Sequence, residues 1–401
     1  MTTVPRTGGL DITAVRTRSD RAAFLELPYQ LHRESAHWVP PLRHEQRALL
    51  NPRKNPFFEY GQAGLFLARR HGRPVGRIAA VSNPSHTAHH GGRDGFFGLF
   101  ESTDDLEVGE ALCAAAAGWL RERGLETMLG PVGFTTNDEC GVLVEGFAER
   151  PAIMLPHNPP YYPALLESLG FEKAKDLLAH EFPTTLHEDR GLQRAARYIT
   201  RNTALTVRPV DLGRFDEESR LIRELYNSAL GDNWGFSPAS PREFTALARR
   251  LRPLLRADFT LVGEIDGRPA GFAILLPDLA PALAAAGGRL FSYGAPVGLL
   301  RLLRAKRHLT RARLPAMGVR REDRGRGLEL LMYLALSRAA QAQGLHTAEA
   351  SWVLEDNAQI NSVMKRIGAR TVKRYRMYTR AVLPPRPPGC AHSFARDHAP
   401  G

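Results

Sequence analysis

The apolar period changes from two residues to about 3.6 within residues 311–345, across a turn rich in glycine and arginine. Leu314, Met317 and Val319 indicate a half-buried strand before the turn, and the apolar residues after it recur at helical steps. Those helical residues are Leu328, Leu331, Met332, Ala335, Leu336 and Ala339. We therefore expect a strand, a tight turn and a helix in succession, and we look for the chemistry of the protein there.

The turn reads Arg-Arg-Glu-Asp-Arg-Gly-Arg-Gly over residues 320–327. Its glycines let the backbone turn sharply and approach a ligand without hindrance from a Cβ atom. The first amides of the helix have no acceptor within the helix, and the helix dipole adds positive charge that the arginines reinforce. These properties predict a diphosphate site. The third glycine of a dinucleotide fingerprint and the Gly-Lys-Ser/Thr of a P-loop are both missing.

Residues 319–327 resemble the pyrophosphate loop of the GNAT acyltransferases, Val-x-Pro-x-x-Arg-Gly-x-Gly. Two positions depart from that pattern, since Arg321 stands where proline is common and Glu322 where the family usually has Gln or Arg. The resemblance implies a GNAT-type N-acetyltransferase that uses acetyl-CoA or another acyl-CoA as co-substrate. It implies no metal. The implied acceptor is an amine of a small molecule or a peptide.

The resemblance also implies how the donor is held. The diphosphate would lie on the amides of residues 324–328, and the pantetheine arm would pair with the strand edge at residues 317–319. Asn357 matches an asparagine of the family pattern Asn-x-x-x-x-Asn-x-Tyr-x-x-x-Gly. The implied cofactor-binding residues are Met317, Gly318, Val319, Arg324, Gly325, Arg326, Gly327, Leu328 and Asn357.

The catalytic residues are less well defined by the family pattern. Met364 stands where the family has the tyrosine proposed to protonate the leaving thiolate, and it has no exchangeable proton. Tyr375, Tyr378 or water would have to take its place. Glu349 and Glu355 are the candidate bases for the amine, with a structural role as the alternative for each.

The acceptor would be contacted by Trp234 and Phe236, which lie in the loop between the first two helices of the second half. A core or lid role is the alternative for both aromatic residues. Residues 83–92 are expected to form a loop. Its three histidines, and Cys140 with His157, are weaker candidates for a metal site and a nucleophile pair. We assign no catalytic or metal-binding role to them.

Three landmarks recur in the same order in both halves of the chain. The hairpin turn at residues 72–76 corresponds to residues 267–271, and helix-to-strand junctions at Gly124 and Gly170 correspond to Gly344 and Gly368. Each half is expected to read β-α-α-β-β-β-α-β-α-β-β, which is the GNAT order. The expected fold class is therefore α+β, with two tandem GNAT-like domains, each a mixed central sheet flanked by helices.

The halves differ in chemistry. Where the second half has its glycine-rich turn, residues 101–107 of the first half carry four acidic residues and neither glycine nor arginine. We expect residues 1–187 to form a degenerate domain that binds no acyl-CoA and instead supports the second copy or shapes the acceptor site. Residues 188–203 would form a linker helix, residues 204–383 the acyl-CoA-binding domain and residues 384–401 a disordered tail.

The net charge of +12 raises the question of a polyanionic partner. Much of this charge is arginine in a chain rich in Ala, Gly and Pro, so we do not expect nucleic acid as a partner. Basic residues concentrate just before the turn, and they are Arg301, Arg304, Lys306, Arg307, Arg311 and Arg313. They could form a solvated helix face or a patch that guides phosphate groups to the turn. No apolar run of membrane-spanning length occurs, the start lacks a secretory signal and the cysteines are few, so we expect a cytoplasmic protein without a membrane partner.

Two other functions fit parts of the sequence. A non-catalytic acyl-CoA-binding or regulatory protein would explain Met364 and the lack of an assured base. An aminoacyl-tRNA-dependent tandem-GNAT transferase would explain the basic charge, although a well-formed pyrophosphate turn argues against it. Acceptor identity, acyl length and oligomeric state do not follow from the sequence.

Overall fold

A computed structural model describes residues 9–292 and 294–382 of the 401-residue chain. All thirteen strands found in these ranges belong to one mixed sheet. The strands are β1 Leu10–Ala14, β2 Gln62–Arg70, β3 Arg73–Ser82, β4 Asp94–Ser102, β5 Thr127–Gly130, β6 Val142–Glu145, β7 Glu172–Pro183, β8 Leu205–Pro209, β9 Thr260–Ile265, β10 Arg268–Pro277, β11 Arg311–Val319, β12 Thr347–Leu354 and β13 Arg370–Ala381.

Helices cover the sheet and connect its strands. They are α1 Arg18–Leu31, α2 Arg43–Leu49, α3 Pro84–His90, α4 Leu106–Arg121, α5 Tyr162–Ser168, α6 Arg190–Asn202, α7 Phe215–Leu230, α8 Pro241–Leu251, α9 Ala280–Ala286, α10 Val297–Lys306, α11 Leu328–Ala342 and α12 Ala358–Arg366. None of the helices in the described ranges has the length and apolar content needed to cross a bilayer.

The same element order occurs in both halves, which confirms the predicted α+β fold class. Helices α1, α2, α4 and α5 of the first half correspond to α7, α8, α11 and α12 of the second. The main differences are insertions between the third and fourth strands, where the first half has α3 and the second has α9 and α10. Helix α6 connects the halves.

The repeat landmarks share their backbone conformation as well as their sequence. His71 and Gly72 have φ values of 50° and 78°, and Asp266 and Gly267 have 52° and 73°, so both hairpins turn through left-handed residue pairs. Gly124, Gly344, Gly170 and Gly368 also have positive φ, between 71° and 78°, after α4, α11, α5 and α12. Glycine is favoured at these four helix ends because it adopts this conformation without a Cβ penalty.

The two halves exchange their last strands. The strand order is β1-β2-β3-β4-β5-β13-β7-β12-β11-β10-β9-β8, with β6 paired beside β13. Strand β13 of the second half therefore lies against β5 of the first, and β7 of the first half lies against β12 of the second. β7 and β13 also pair with each other over most of their length. The sheet is continuous across the middle of the chain, and the proposed domain limits at residues 187 and 204 stay a prediction.

Three details differ from the sequence-based prediction. The first half has an additional strand, β6, between β5 and α5, which has no counterpart in the second half. Residues 83–92 were expected to be a loop, but Pro84–His90 form α3, because the Asn83 side chain accepts a hydrogen bond from the His86 amide and proline occupies the first helical turn. Each half was expected to end in two strands and ends in one bulged strand, β7 or β13. The tail at residues 384–401 lies outside the described residues.

Candidate active site

Strands β11 and β12 open into a cleft. They pair in parallel from Arg311 with Thr347 to Leu314 with Ala350, and this pairing ends at Pro315. Beyond that point β11 stays paired with β10 as far as Val319, so its edge towards β12 is left without a strand partner. An unpaired strand edge offers N–H and C=O groups to an extended ligand.

The glycine-rich turn lies at the end of β11. Residues Arg321–Asp323 form one 3-10 turn, and Gly325 and Gly327 then adopt φ values of 75° and 97° before α11 begins. No side chain of a described residue caps α11. Within the described part of the chain, the amides of residues 325–328 have no hydrogen-bond acceptor. The turn therefore presents uncapped N–H groups and the positive end of a helix dipole.

Some charged residues of the turn are bound to other parts of the protein, and others could contact an anion. Arg324 donates to the carbonyls of Val319 at 3.2 Å and Ala229 at 2.8 Å, so it fastens the turn to α7. Asp323 is buried and accepts from Arg268 on both oxygens at 2.9 Å. Arg320 is half-buried and forms no ion pair with any described residue, and Arg326 is half-exposed with Asp323 at 3.5 Å. The guanidinium groups of Arg320 and Arg326 are therefore better placed for an anion than that of Arg324.

Gly318 was expected to admit the pantetheine arm. A Cβ on Gly318 would instead lie 2.7 Å from the Ala229 Cβ, so the missing side chain lets α7 pack closely on β11. Asn357 likewise has a local role, because its side chain accepts from the Ile360 amide and caps α12. The predicted cofactor contacts of both residues stay predictions.

In the first half, the equivalent helix N-terminus and the equivalent space between strands are occupied by the protein itself. Asp105 caps α4 by accepting from the amides of Glu107 and Val108, and Arg70 donates to Asp105 at 2.7 Å. The gap between β4 and β5 is also filled, because the Val132 amide donates to the Phe97 carbonyl at 2.9 Å. Here a carboxylate already satisfies the helix N-terminus, and the protein's own backbone occupies the space between the strands.

Trp234 and Phe236 lie at the contact between the halves. Phe236 is buried beside Tyr226 and His89, and its carbonyl accepts from His90 at 2.6 Å. The half-buried Trp234 packs against the first-half core, with the Lys175 ammonium 5.7 Å from its ring. Sequence reasoning left a core role and acceptor binding open, and the geometry favours a core role for Phe236.

Both candidate bases already have cationic partners. Glu349 is fully buried, and one of its oxygens accepts from Lys373 at 2.7 Å and from Arg311. Glu355 accepts from Lys173 at 2.7 Å; burial raises its pKa, but this ion pair and the Asp176 amide lower it overall. The lowered pKa makes Glu355 a poor proton acceptor.

Two polar groups near the opening have no partner among the described residues. They are the hydroxyl of Tyr375, which is fully buried on β13, and the indole N–H of Trp352 on β12. Their rings lie 6.4 Å apart. Burial raises the pKa of Tyr375 well above its usual range, so the hydroxyl keeps its proton. Buried polar groups without partners are rare in proteins, so these two are candidates for contact with a ligand. Tyr378, by contrast, donates to Glu167 at 3.0 Å.

Glu139 was missed by sequence reasoning. It belongs to the first half, yet Arg250 of α8 and Arg313 of β11 are among the charges that act on it. Its side chain reaches solvent and has no hydrogen bond or ion pair to any described residue. Desolvation, and then the neighbouring Asp138, raise the pKa of this carboxyl. An acidic residue in an uncharacterised loop gives no signal in one sequence, because the signal lies in contacts with the other half.

The weaker candidates are engaged elsewhere. The thiol of Cys140 is buried and donates to the carbonyls of Thr136 and Asp138, and burial raises its pKa well above the usual value. His157 lies against the Phe147 carbonyl at 3.2 Å. In the described ranges, no group of three metal-ligating side chains comes together.

Comparison with known proteins gives relatives over nearly the whole chain, although no family model matches. The bacterial ceramide synthase of Caulobacter vibrioides is 34% identical over 378 residues, covering 93% of this chain and 98% of that protein. Protein YghO of Escherichia coli is 35% identical over 370 residues, covering 91% and 94%.

Solved structures share the fold at lower identity. A tandem GNAT protein from the clavulanic acid biosynthesis pathway superposes with a TM-score of 0.55 and 16% identity, covering 94% of this chain and 99% of that one. A GCN5-related N-acetyltransferase from Anabaena variabilis gives a TM-score of 0.51 at 10% identity, covering 93% and 73%.

Proposed function

Because the chain belongs to the GNAT superfamily, as a member with two GNAT halves in tandem and a degenerate first copy, we propose that it transfers an acyl group from acyl-CoA to an amine. One observation carries the proposal: α11 begins with uncapped amides beside an open strand edge, whereas the matching α4 is capped by Asp105. One donor site, in the second half, follows from this difference.

The donor would lie along the second half. The amides of residues 325–328 would bind the diphosphate, with Arg320 and Arg326 supplying positive charge. The pantetheine arm would follow the β11 edge at residues 315–319, which has no strand partner on the β12 side. The acyl thioester would then reach the cleft near Trp352 and Tyr375.

We propose a fatty acyl group rather than an acetyl group as the cargo, and a long-chain amino alcohol as the acceptor. The support is the ceramide synthase from Caulobacter vibrioides, whose identity with this chain extends over 378 residues. A ceramide is the amide of a fatty acid with such an amino alcohol. Formation of a ceramide from an acyl-CoA is the same type of reaction as the one implied by the glycine-rich turn, because in both an amine attacks a thioester.

In this reaction Glu139 takes a proton from the ammonium form of the acceptor, and the free amine attacks the thioester carbonyl. The C–N bond forms, the C–S bond breaks and the CoA thiolate leaves. Tyr375 donates the proton that the thiolate needs, since its hydroxyl is protonated and has no competing acceptor among the described residues. The attacking nitrogen loses its second proton as the amide forms, and that proton restores the Tyr375 hydroxyl. Arg311 and Lys373 hold Glu349 in a structural role.

The donor site is tested with a matched pair of substitutions, Gly325→Asp and Gly325→Asn. Gly325 has φ of 75° and open space around its missing Cβ, and both Asp and Asn tolerate that conformation. The two side chains have nearly the same size, so only Asp adds a negative charge to the anion site. We expect calorimetry to show acyl-CoA binding weakened at least ~10-fold by Asp, with Asn close to the wild type.

Acyl transfer is measured separately as thiol release from acetyl-CoA and palmitoyl-CoA with sphinganine as acceptor. We expect turnover with palmitoyl-CoA to exceed turnover with acetyl-CoA. Equal binding by the two Gly325 variants would overturn the donor site. Binding without thiol release from either donor would favour the non-catalytic acyl-CoA-binding alternative.

A further inference from the structure

The insertion between β10 and β11 carries an outward-facing apolar surface. Four of the six exposed large apolar residues in the described ranges lie within it, namely Phe291, Val297, Leu300 and Leu303, exposed by 59%, 39%, 61% and 48%. With Arg301, Arg304, Lys306 and Arg307 these residues form what we call the α10 surface. Single exposed leucines are ordinary, but a cluster of them marks an interaction site.

The opposite face of α10 fixes its orientation. Leu302 and Ala305 pack into a small core with Ile153, Leu279 and Ala282. Gly298 is buried, and a Cβ there would overlap the Arg289 carbonyl oxygen, so the helix lies tightly on the preceding chain. Leu300 and Leu303 therefore point outward because the other side of the helix is occupied.

The charge around these leucines has one sign. Arg301, Arg304, Lys306 and Arg307 are exposed and form no ion pair with any described residue. The sequence has no Asp or Glu from residue 279 to residue 321. Arg311 and Arg313 from the same basic run are engaged, since Arg311 pairs with Glu349 and Arg313 donates to Ser351 and the Ile153 carbonyl. Within this basic run, the cations without an ion pair to a described residue are therefore the three on α10 and Arg307.

We propose that the α10 surface docks the protein on a bilayer containing anionic phospholipids. Leucines at the boundary between headgroups and acyl chains bury apolar area, while arginine and lysine contact lipid phosphates. A second copy of the chain fits less well, because a two-fold contact through this surface would bring two sets of unpaired cations together. The proposal replaces the expectation of no membrane partner, and it does not depend on acyl transfer.

Vesicle co-sedimentation of the full chain tests the proposal, with phosphatidylcholine vesicles and vesicles that also contain phosphatidylglycerol. We expect binding to the anionic vesicles that falls with added salt. Leu300→Ser with Leu303→Ser should lower the partition coefficient at least ~10-fold. Arg304→Gln with Arg307→Gln should lower it about fivefold per residue on anionic vesicles.

Matched controls lie elsewhere on the surface. Leu106→Ser removes an apolar side chain that is 45% exposed on α4, and Arg194→Gln with Arg197→Gln removes two exposed arginines of α6. Both controls should bind vesicles like the wild type. The proposal is overturned if the wild type does not bind, or if the α10 variants and the controls lose binding equally. A dimer contact would also overturn it. In that case sedimentation equilibrium would show a wild-type dimer that the leucine variant loses and the controls keep, and the wild type would not bind vesicles.

Discussion

Glu139 differs from Glu349 and Glu355 because its side chain has no ion pair with any described residue. Glu349 and Glu355 are each paired with lysine. Burial raises the pKa of Glu355, but its ion pair with Lys173 lowers it overall. Desolvation and Asp138 act on Glu139 in the opposite direction and raise its pKa. A base with a raised pKa accepts a proton more readily near neutral pH.

Glu139→Gln is expected to lower kcat by roughly 10²- to 10⁴-fold without changing acyl-CoA binding. The base works as a carboxylate, so wild-type kcat/KM should fall as the pH drops through the raised pKa, and the variant should lose this limb. Steady-state rates across pH and calorimetry with acyl-CoA check both points. Glu355→Gln is the control, since Lys173 pairs with that carboxylate. Wild-type kcat in Glu139→Gln would contradict the assignment.

Glu349→Gln is expected to destabilise the protein by about 3–5 kcal/mol, because it leaves the buried Lys373 and the partly buried Arg311 without their carboxylate. Urea unfolding measures the loss. Adding Lys373→Met should recover part of it, since the second substitution removes one of the unpaired charges. If Glu349→Gln kept full stability and lost activity, Glu349 would be catalytic as first expected.

At the scale of elements, α6 and α11 meet at the donor turn. A Cβ on Gly327 would lie 2.5 Å from the Ile199 Cδ1 of α6, and Gly327 itself has φ of 97°. Leu192, Ala196 and Ile199 of α6 pack on the core beneath α11. The helix that connects the halves therefore also forms one wall of the proposed diphosphate site.

Gly327→Ala is expected to weaken acyl-CoA binding, through strain at positive φ and through the clash with Ile199. Ile199→Ala in the same chain should restore only the part due to the clash, which a double-mutant cycle on Kd isolates. Gly344→Ala is the control at the other end of α11, where φ is 71° and the space is open. The control should affect stability and leave Kd unchanged. A zero coupling energy between residues 327 and 199 would refute the contact.

At the scale of the whole molecule, the exchange of β7 and β13 makes the two halves one folding unit. β13 pairs with β5 and β7, and β7 pairs with β12, so each half completes its sheet with a strand from the other. Tyr375 and Met377 of β13 lie in a core built mainly by the first half. The first half thus supplies most of the core around the end of β13.

Residues 1–188 and residues 189–401 are therefore expected not to fold when each is produced alone. Each fragment lacks the strand that covers its central edge, and exposed strand edges aggregate. Co-production should give a complex that purifies together, and the intact chain should unfold in a single calorimetric transition. A cooperative transition from residues 1–188 alone would show that the exchange is not needed for folding.

The proposed site was predictable where it depends on local backbone. Gly325 and Gly327 were identified from a sequence pattern, and the structure places both at positive φ before an uncapped helix. The partners of Glu349, Arg324 and Phe236 were not predictable. Each of those contacts joins elements far apart along the chain, and no pattern in one sequence records them.

The sequence by itself determined the order of most strands and helices, the left-handed glycines that end several of them and the difference between the basic and acidic turns of the two halves. These features depend on hydrophobic period, backbone freedom and charge within short segments. Only the tertiary structure decided which strands pair across the middle of the sheet, which carboxylates receive a cation and which leucines of α10 stay uncovered. Those outcomes depend on contacts between residues that are distant in sequence, because strand pairing, ion pairing and burial of apolar surface are settled only when the chain is compact.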